Sequence, residues 1–299
     1  MLGELAALGT AISWTVSAVL YRRALSNTKP LQANIVRLGC TSLVLMGFVA
    51  LIGKLSVFSS LPVYSVVLSS LSGLIGLGLG DTLYMVSLKQ IGVSRAVPIS
   101  CTYPLFSLLV ALVIQPKTVA FEVIVAAVAI VFGIWLLTRE PESSEGMAQA
   151  GFRIRGGLFA LGAAVFWALS IAMINSAVTL PETGTLDSAL VLNTIRVLSV
   201  AVFLLASTPL TDRKFSFAKI QRKSLALLTL GGLVALGLGW FLLTYSFLYI
   251  PEAQAVPISS TTPLFAVVSG MIFLKERITV RNVAGTIIIV LGIFLLFMF

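Results

Sequence analysis

Ten apolar runs of about twenty residues, set off by short polar connections, constrain this chain more than any other feature of it. They lie at 5–21, 33–53, 65–88, 96–114 and 119–138, and again at 156–178, 186–207, 224–248, 253–274 and 280–299. A hydrocarbon layer about 30 Å thick is crossed by roughly 20 helical residues, whereas a spanning strand needs only about 10 and alternates polar with apolar. The runs have the helical length and lack the alternation. No water inside lipid satisfies a free backbone N–H or C=O, so each crossing has to close its own hydrogen bonds as a helix. The expected fold is an all-α integral membrane protein of ten transmembrane helices, with the lipid bilayer as its surroundings. Composition supports it: 58% of the 299 residues are hydrophobic and 10% charged, against about 25% charged in soluble domains.

The net charge of +9 does not point to nucleic acid, because the cations sit between apolar runs rather than on one folded face. Sixteen of the 20 Lys and Arg occupy alternate connections: Arg22, Arg23, Lys29; Lys89, Arg95; Arg139, Arg153, Arg155; Arg213, Lys214, Lys219, Arg222, Lys223; and Lys275, Arg277, Arg281. Only Lys54 and Lys117 fall in the others. The positive-inside bias puts the basic connections in the cytosol and both termini of a multi-pass cell-membrane protein outside it. Cys40 and Cys101 fall inside apolar runs and read as small buried hydrophobes. With no histidine, imidazole catalysis and His-ligated metal are excluded. No Gly-x-x-x-x-Gly-Lys-Ser/Thr stretch is present for a nucleotide, and no cofactor or metal is expected.

The chain also repeats itself. Residues 77–106 and 236–265 align without gaps, agreeing at about half of positions. Ala96-Val97-Pro98-Ile99-Ser100 recurs as Ala255-Val256-Pro257-Ile258-Ser259, and Asn34-x-x-Arg37 as Asn193-x-x-Arg196 at the same offset. Trp14 matches Trp167 at a slightly different one. The expected organisation is a first five-helix repeat at 1–138, a polar connector at 139–155 and a second five-helix repeat at 156–299. Five is odd, so the second half enters the membrane from the opposite side and the halves form an inverted repeat. Such repeats suit transport by alternating access, because two related halves can exchange packings around one central site.

These residues resemble those of the EamA-type, ten-helix members of the drug/metabolite transporter superfamily, across nearly the whole chain. The resemblance is carried by Trp14 and Trp167, Arg37 and Arg196, the Pro98 to Phe106 and Pro257 to Phe265 stretches, and Leu274-Lys275-Glu276-Arg277-Ile278-Thr279. The first-half counterpart of that last turn, Gln115-Pro116-Lys117-Thr118, departs by lacking the glutamate. The resemblance implies export or exchange of amino acids, related metabolites or drugs through a central cavity. An intramembrane lipid-linked transferase and a ligand receptor are the alternatives; the first usually needs convergent acids, histidines or a metal site, and the second does not require an inverted repeat. Small residues pack between subunits as readily as within one, so an oligomer stays open.

Asp81 is the one acid well inside a span, and its repeat partner is Trp240. An aspartate there costs about 2.5–3.5 kcal/mol on insertion scales and has to face protein or water. It is a candidate for substrate or proton binding, and equally for a structural hydrogen-bonded acid. Arg37 and Arg196, with Asn34 and Asn193, fit paired gates or anion contacts, or snorkelling to the interface. Trp14, Trp167 and Trp240 with Tyr84, Tyr103 and Tyr245 are candidate cavity walls, or helix-packing aromatics. Pro104 and Pro263 are expected inside helices, freeing the carbonyls of Ser100 and Ser259, with Thr261 among the nearby hydroxyls that satisfy them or meet substrate. Pro98 and Pro257 are expected in first turns. The glycines Gly73, Gly76, Gly78, Gly80 and Gly231, Gly232, Gly237, Gly239 read as close-packing positions.

Overall fold

The computed structural model describes residues 1–114, 121–138, 147–212 and 215–296. The Gln115–Thr118 turn and positions 139–146 of the expected connector lie outside these residues. Among the described residues the secondary structure is helix without strand. We number the principal helices α1 (Leu2–Ala24), α2 (Pro30–Leu51), α3 (Val63–Ile91), α4 (Val93–Ser100), α5 (Tyr103–Ile114), α6 (Phe121–Thr138), α7 (Met147–Val178), α8 (Leu186–Thr211), α9 (Arg222–Ser246), α10 (Glu252–Ser259), α11 (Thr262–Leu274) and α12 (Val280–Leu296). Among the described residues, seven stretches are long and apolar enough to cross a membrane: α1, α2, α3, most of α7, α8, α9, and the α10–α11 stretch Gln254–Leu274. Shorter apolar helices lie in α6 and α12, which pack on each other. The 23 residues of α1 measure about 35 Å at 1.5 Å per residue, enough for the hydrocarbon layer. The side chains that face outward, such as Leu43, Phe48, Leu79, Phe203 and Ile272, are apolar, as lipid requires.

Helix α7 begins at Met147, inside the stretch expected to be connector up to 155. The proline expectation is reversed. Pro98 and Pro257 sit inside α4 and α10, while Pro104 and Pro263 stand in the first turns of α5 and α11, where a missing N–H costs nothing. The chain breaks before these prolines, at Cys101–Thr102 and Ser260–Thr261, because small and hydroxyl side chains there bond to the backbone and compete with the helix. Thr102 donates to the Ile99 carbonyl (2.7 Å) and Thr262 to the Ser259 carbonyl (2.6 Å). Thr261 donates to the Ile258 carbonyl at 2.7 Å. Local hydroxyls thus take up the Ile99, Ile258 and Ser259 carbonyls at the two breaks.

The glycine-rich parts of α3 and α9, Gly73–Gly80 and Leu233–Gly239, are wound as π-helix. A π turn displaces carbonyls from the i−4 ladder and commonly marks a functional site. Here two asparagines take them up. Asn34 donates to the Leu77 carbonyl (2.9 Å), and Asn193 donates to the Leu236 carbonyl (2.9 Å). Gly80 and Gly239 end these turns against indoles of other helices: a Cβ on either would lie 2.9 Å from the Cδ1 of Trp167 or Trp14. No larger residue fits there, and that close approach brings the tryptophans to the centre.

Polar connections meet at two separate places. Arg22 donates to the Lys89 carbonyl, Lys89 to the Thr28 carbonyl, and Arg23 to the Phe273 carbonyl. Lys54 pairs with Asp187 in another group.

Candidate functional site

A cavity of about 40 Å³ lies among α1, α2, α3, α4, α7, α9 and α11. Helix α1 supplies Trp14, Ser17 and Tyr21, three positions spaced i, i+3, i+7 and so on one face. Arg37 comes from α2, Asp81 and Tyr84 from α3, Val97 and Ser100 from α4, and Cys101 from the break after it. Trp167 comes from α7, Ala235, Leu236 and Trp240 from α9, and Thr262 from α11. The helix breaks and π turns therefore converge on one space.

Aromatic rings form most of its wall. Trp14 and Trp167 stack with centroids 6.5 Å apart and planes 22° from parallel. Trp240 lies 5.0 Å from Trp14, and Tyr84 lies 5.0 Å from Trp167. Tyr103 meets Trp167 edge-on at 6.4 Å, and its hydroxyl lies 2.9 Å from the Ser259 Oγ, joining the α4–α5 break to the α10–α11 break. About 10–15 Å³ accommodates one water, so the cavity has room for only about two or three.

One ion pair serves this space. Arg37 Nη2 and Asp81 Oδ2 are bonded, with both side chains almost wholly buried. Arg37 Nε donates to Asn34 Oδ1 (2.8 Å), and its guanidinium lies 4.9 Å from the centre of the Tyr21 ring. Asp81 Oδ1 accepts from the Trp167 indole N–H at 2.7 Å. Asn34 holds Arg37 from the same helix, while Tyr21 of α1 and Trp167 of α7 flank the pair from two others. A guanidinium forms such bonds in a fixed plane, so the pair fixes α2, α3 and α7 relative to one another.

The second half repeats the scaffold without the acid. Arg196 stacks 3.7 Å from the centre of the Trp240 ring and donates to Ser170 Oγ at 2.6 Å. Its residue is fully buried. Neither Arg37 nor Arg196 therefore reaches an interface as a snorkelling side chain.

Of the residues expected at the site, Trp14, Arg37, Asp81, Tyr84, Trp167 and Trp240 line the cavity. Asn34, Asn193, Tyr103 and Arg196 stand directly behind it as supports. Tyr245 does not join them: it stacks on Phe241 at 5.9 Å and bonds the Tyr249 hydroxyl. Nor does Thr261, whose neighbour Thr262 takes the place. Trp135 packs on Phe132, away from the site. Tyr21 and Ser17 were missed, although the i, i+3, i+7 spacing from Trp14 was visible in the sequence.

Glu276 is a further residue the site depends on. Its carboxylate accepts from the backbone N–H groups of Val93 (2.8 Å) and Ser94 (2.9 Å), capping α4 at its start. Gly92, which precedes them, has φ +79°, and a Cβ there would lie 2.7 Å from Glu276 Oε1.

Comparison with known proteins agrees with this architecture. The EamA-like transporter family matches residues 1–139 and again 154–298. An uncharacterized transporter of Archaeoglobus fulgidus is 28% identical over 302 residues, covering 99% of this chain and 98% of that protein. A crystal structure of another protein superposes with TM-score 0.66 at 16% identity, covering 98% of this chain and 95% of that one, a likeness of fold alone. This chain, with its apolar helices packed round a small, largely aromatic cavity, belongs to the EamA-like transporter family.

Proposed function

We propose that this protein is a secondary transporter, an exporter or exchanger, of small polar or amphipathic metabolites such as amino acids. It works by alternating access between two inverted five-helix halves, residues 1–138 and 156–299. The seven long spans are completed to ten by the α4–α5 stretch, α6 and α12. The observation that carries this reading is the cavity itself: its walls come from both halves, with Trp14 of one stacked on Trp167 of the other. A space of about 40 Å³ is too small for a metabolite, so cargo enters only when the halves move apart on one side.

Asp81, held by both Arg37 and Trp167, stands as a fixed charge partner rather than a free proton carrier. Flux into proteoliposomes of amino acids, nucleosides, sugars and cationic drugs is expected to saturate for one class, to follow its gradient and to ignore an imposed pH gradient. Flux that follows the pH gradient would overturn the fixed-charge role, and folded protein that moves no solute would overturn transport.

The basic connections are placed in the cytosol, with both termini outside. A C-terminal reporter active only outside the cytosol is expected to be on; a signal from a cytosol-only reporter reverses the orientation.

A further inference from the structure

The two arginines occupy equivalent places but have unequal partners. Arg37 has Asp81 for its Nη2 and Asn34 Oδ1 for its Nε. Arg196 has Trp240 where Arg37 has Asp81, and a ring face accepts no in-plane hydrogen bond. Its Nε and Nη1 are buried without an acceptor, and Asn193 Oδ1, the counterpart of the oxygen that serves Arg37, is buried without a donor. Asp81, the one acid lining the cavity, is already engaged by Arg37 and Trp167. The cavity pair is therefore neutral and Arg196 brings an uncompensated formal charge. An unpaired buried cation is costly, and the free Nε–H and Nη1–H, which lie on different edges of the guanidinium, each favour an anionic oxygen such as a carboxylate's.

We infer that Arg196 is the binding site for a carboxylate carried by the cargo, which does for Arg196 what Asp81 does for Arg37. This rests on the transport reading for its setting. Trp240 lies between Arg196 and Trp14, forming part of the cavity wall. Opening the cavity moves that ring and admits the anion to one of these donors. The orphaned oxygen of Asn193 then takes a donor of the same cargo, as an α-amino acid with its ammonium group supplies. The substrate class is monoanionic or zwitterionic, with one carboxylate as the recognised group.

The test is thermal melting of the purified protein in detergent with glycine, leucine, threonine and phenylalanine, each beside its amide, and with acetate and benzoate. Saturable stabilisation by at least one carboxylate and not by its amide is expected. Arg196→Gln should weaken it by about tenfold or more. Arg196→Lys, which keeps a charge without the planar guanidinium, should recover part of it and covers the case in which Arg196→Gln fails to fold. Stabilisation equal for acid and amide, none from any carboxylate, or persistence at full strength in Arg196→Gln overturns the inference. Flux measured in parallel separates the two readings. Transport of uncharged solutes equally by wild type and Arg196→Gln removes the carboxylate site and leaves transport standing, whereas carboxylate stabilisation without flux does the reverse.

Discussion

Asp81→Asn is expected to lower the melting temperature steeply and to abolish flux. The substitution keeps the size of the side chain and its contact with Trp167, but it leaves Arg37 as a buried cation with no counter-charge. Breaking one side of a buried pair costs about 3–5 kcal/mol, far more than a surface ion pair contributes. Removing both charges at once avoids that penalty, so Arg37→Met with Asp81→Asn should recover most of the lost stability. The same double variant should not recover flux, because α2, α3 and α7 then lack the planar bond that sets their spacing around the cavity. Melting of Asp81→Asn within a degree or two of the wild type would sink this account of the pair. Full flux in the double variant would show that the pair holds the fold and nothing more.

The architecture was legible because lipid leaves a chain few choices: long apolar runs must become helices, and their period needed no partner to be read. The site was legible only in part. Trp14, Asp81 and Arg37 stood out as residue types that a hydrocarbon interior does not tolerate without a reason. Tyr84 shares a face with Asp81 three residues on, whereas Tyr245 lies five residues past Trp240, about 140° round the helix, and so faces elsewhere. The π turns were invisible, since their glycines also fit ordinary close packing, and the role of Asn34 and Asn193 follows only once the displaced carbonyls are seen. The prolines show the same limit. A proline marks a break within a turn or so, and whether the chain gives way before or after it depends on neighbours such as Thr102 and Thr262, whose hydroxyls close onto the preceding turn. The inequality of Arg37 and Arg196 was half visible: the Asp81 to Trp240 exchange could be read, but not that Arg196 would remain without an acceptor for two of its nitrogens.

Glu276→Ala is expected to destabilise the protein by about 3 kcal/mol, through the loss of two charge-assisted bonds to backbone donors. The first N–H groups of a helix have no partner within it, and α4 is a short helix of eight residues that ends at the cavity. Its start therefore depends on a carboxylate reaching over from the turn after α11. A glutamine keeps one acceptor oxygen and lacks the charge that favours a helix N-terminus, so Glu276→Gln should lie between the wild type and the alanine variant. Gly92→Ala should fail with the alanine variant for a separate reason: φ +79° strains a residue with a Cβ, and that Cβ meets the same carboxylate. Because Ser100 and Cys101 at the far end of α4 line the cavity, loosening its start also loosens the wall, and flux in the two Glu276 variants should fall in the order of their melting temperatures. A Glu276→Ala protein that melts and transports like the wild type would show that the cap holds neither the helix nor the site.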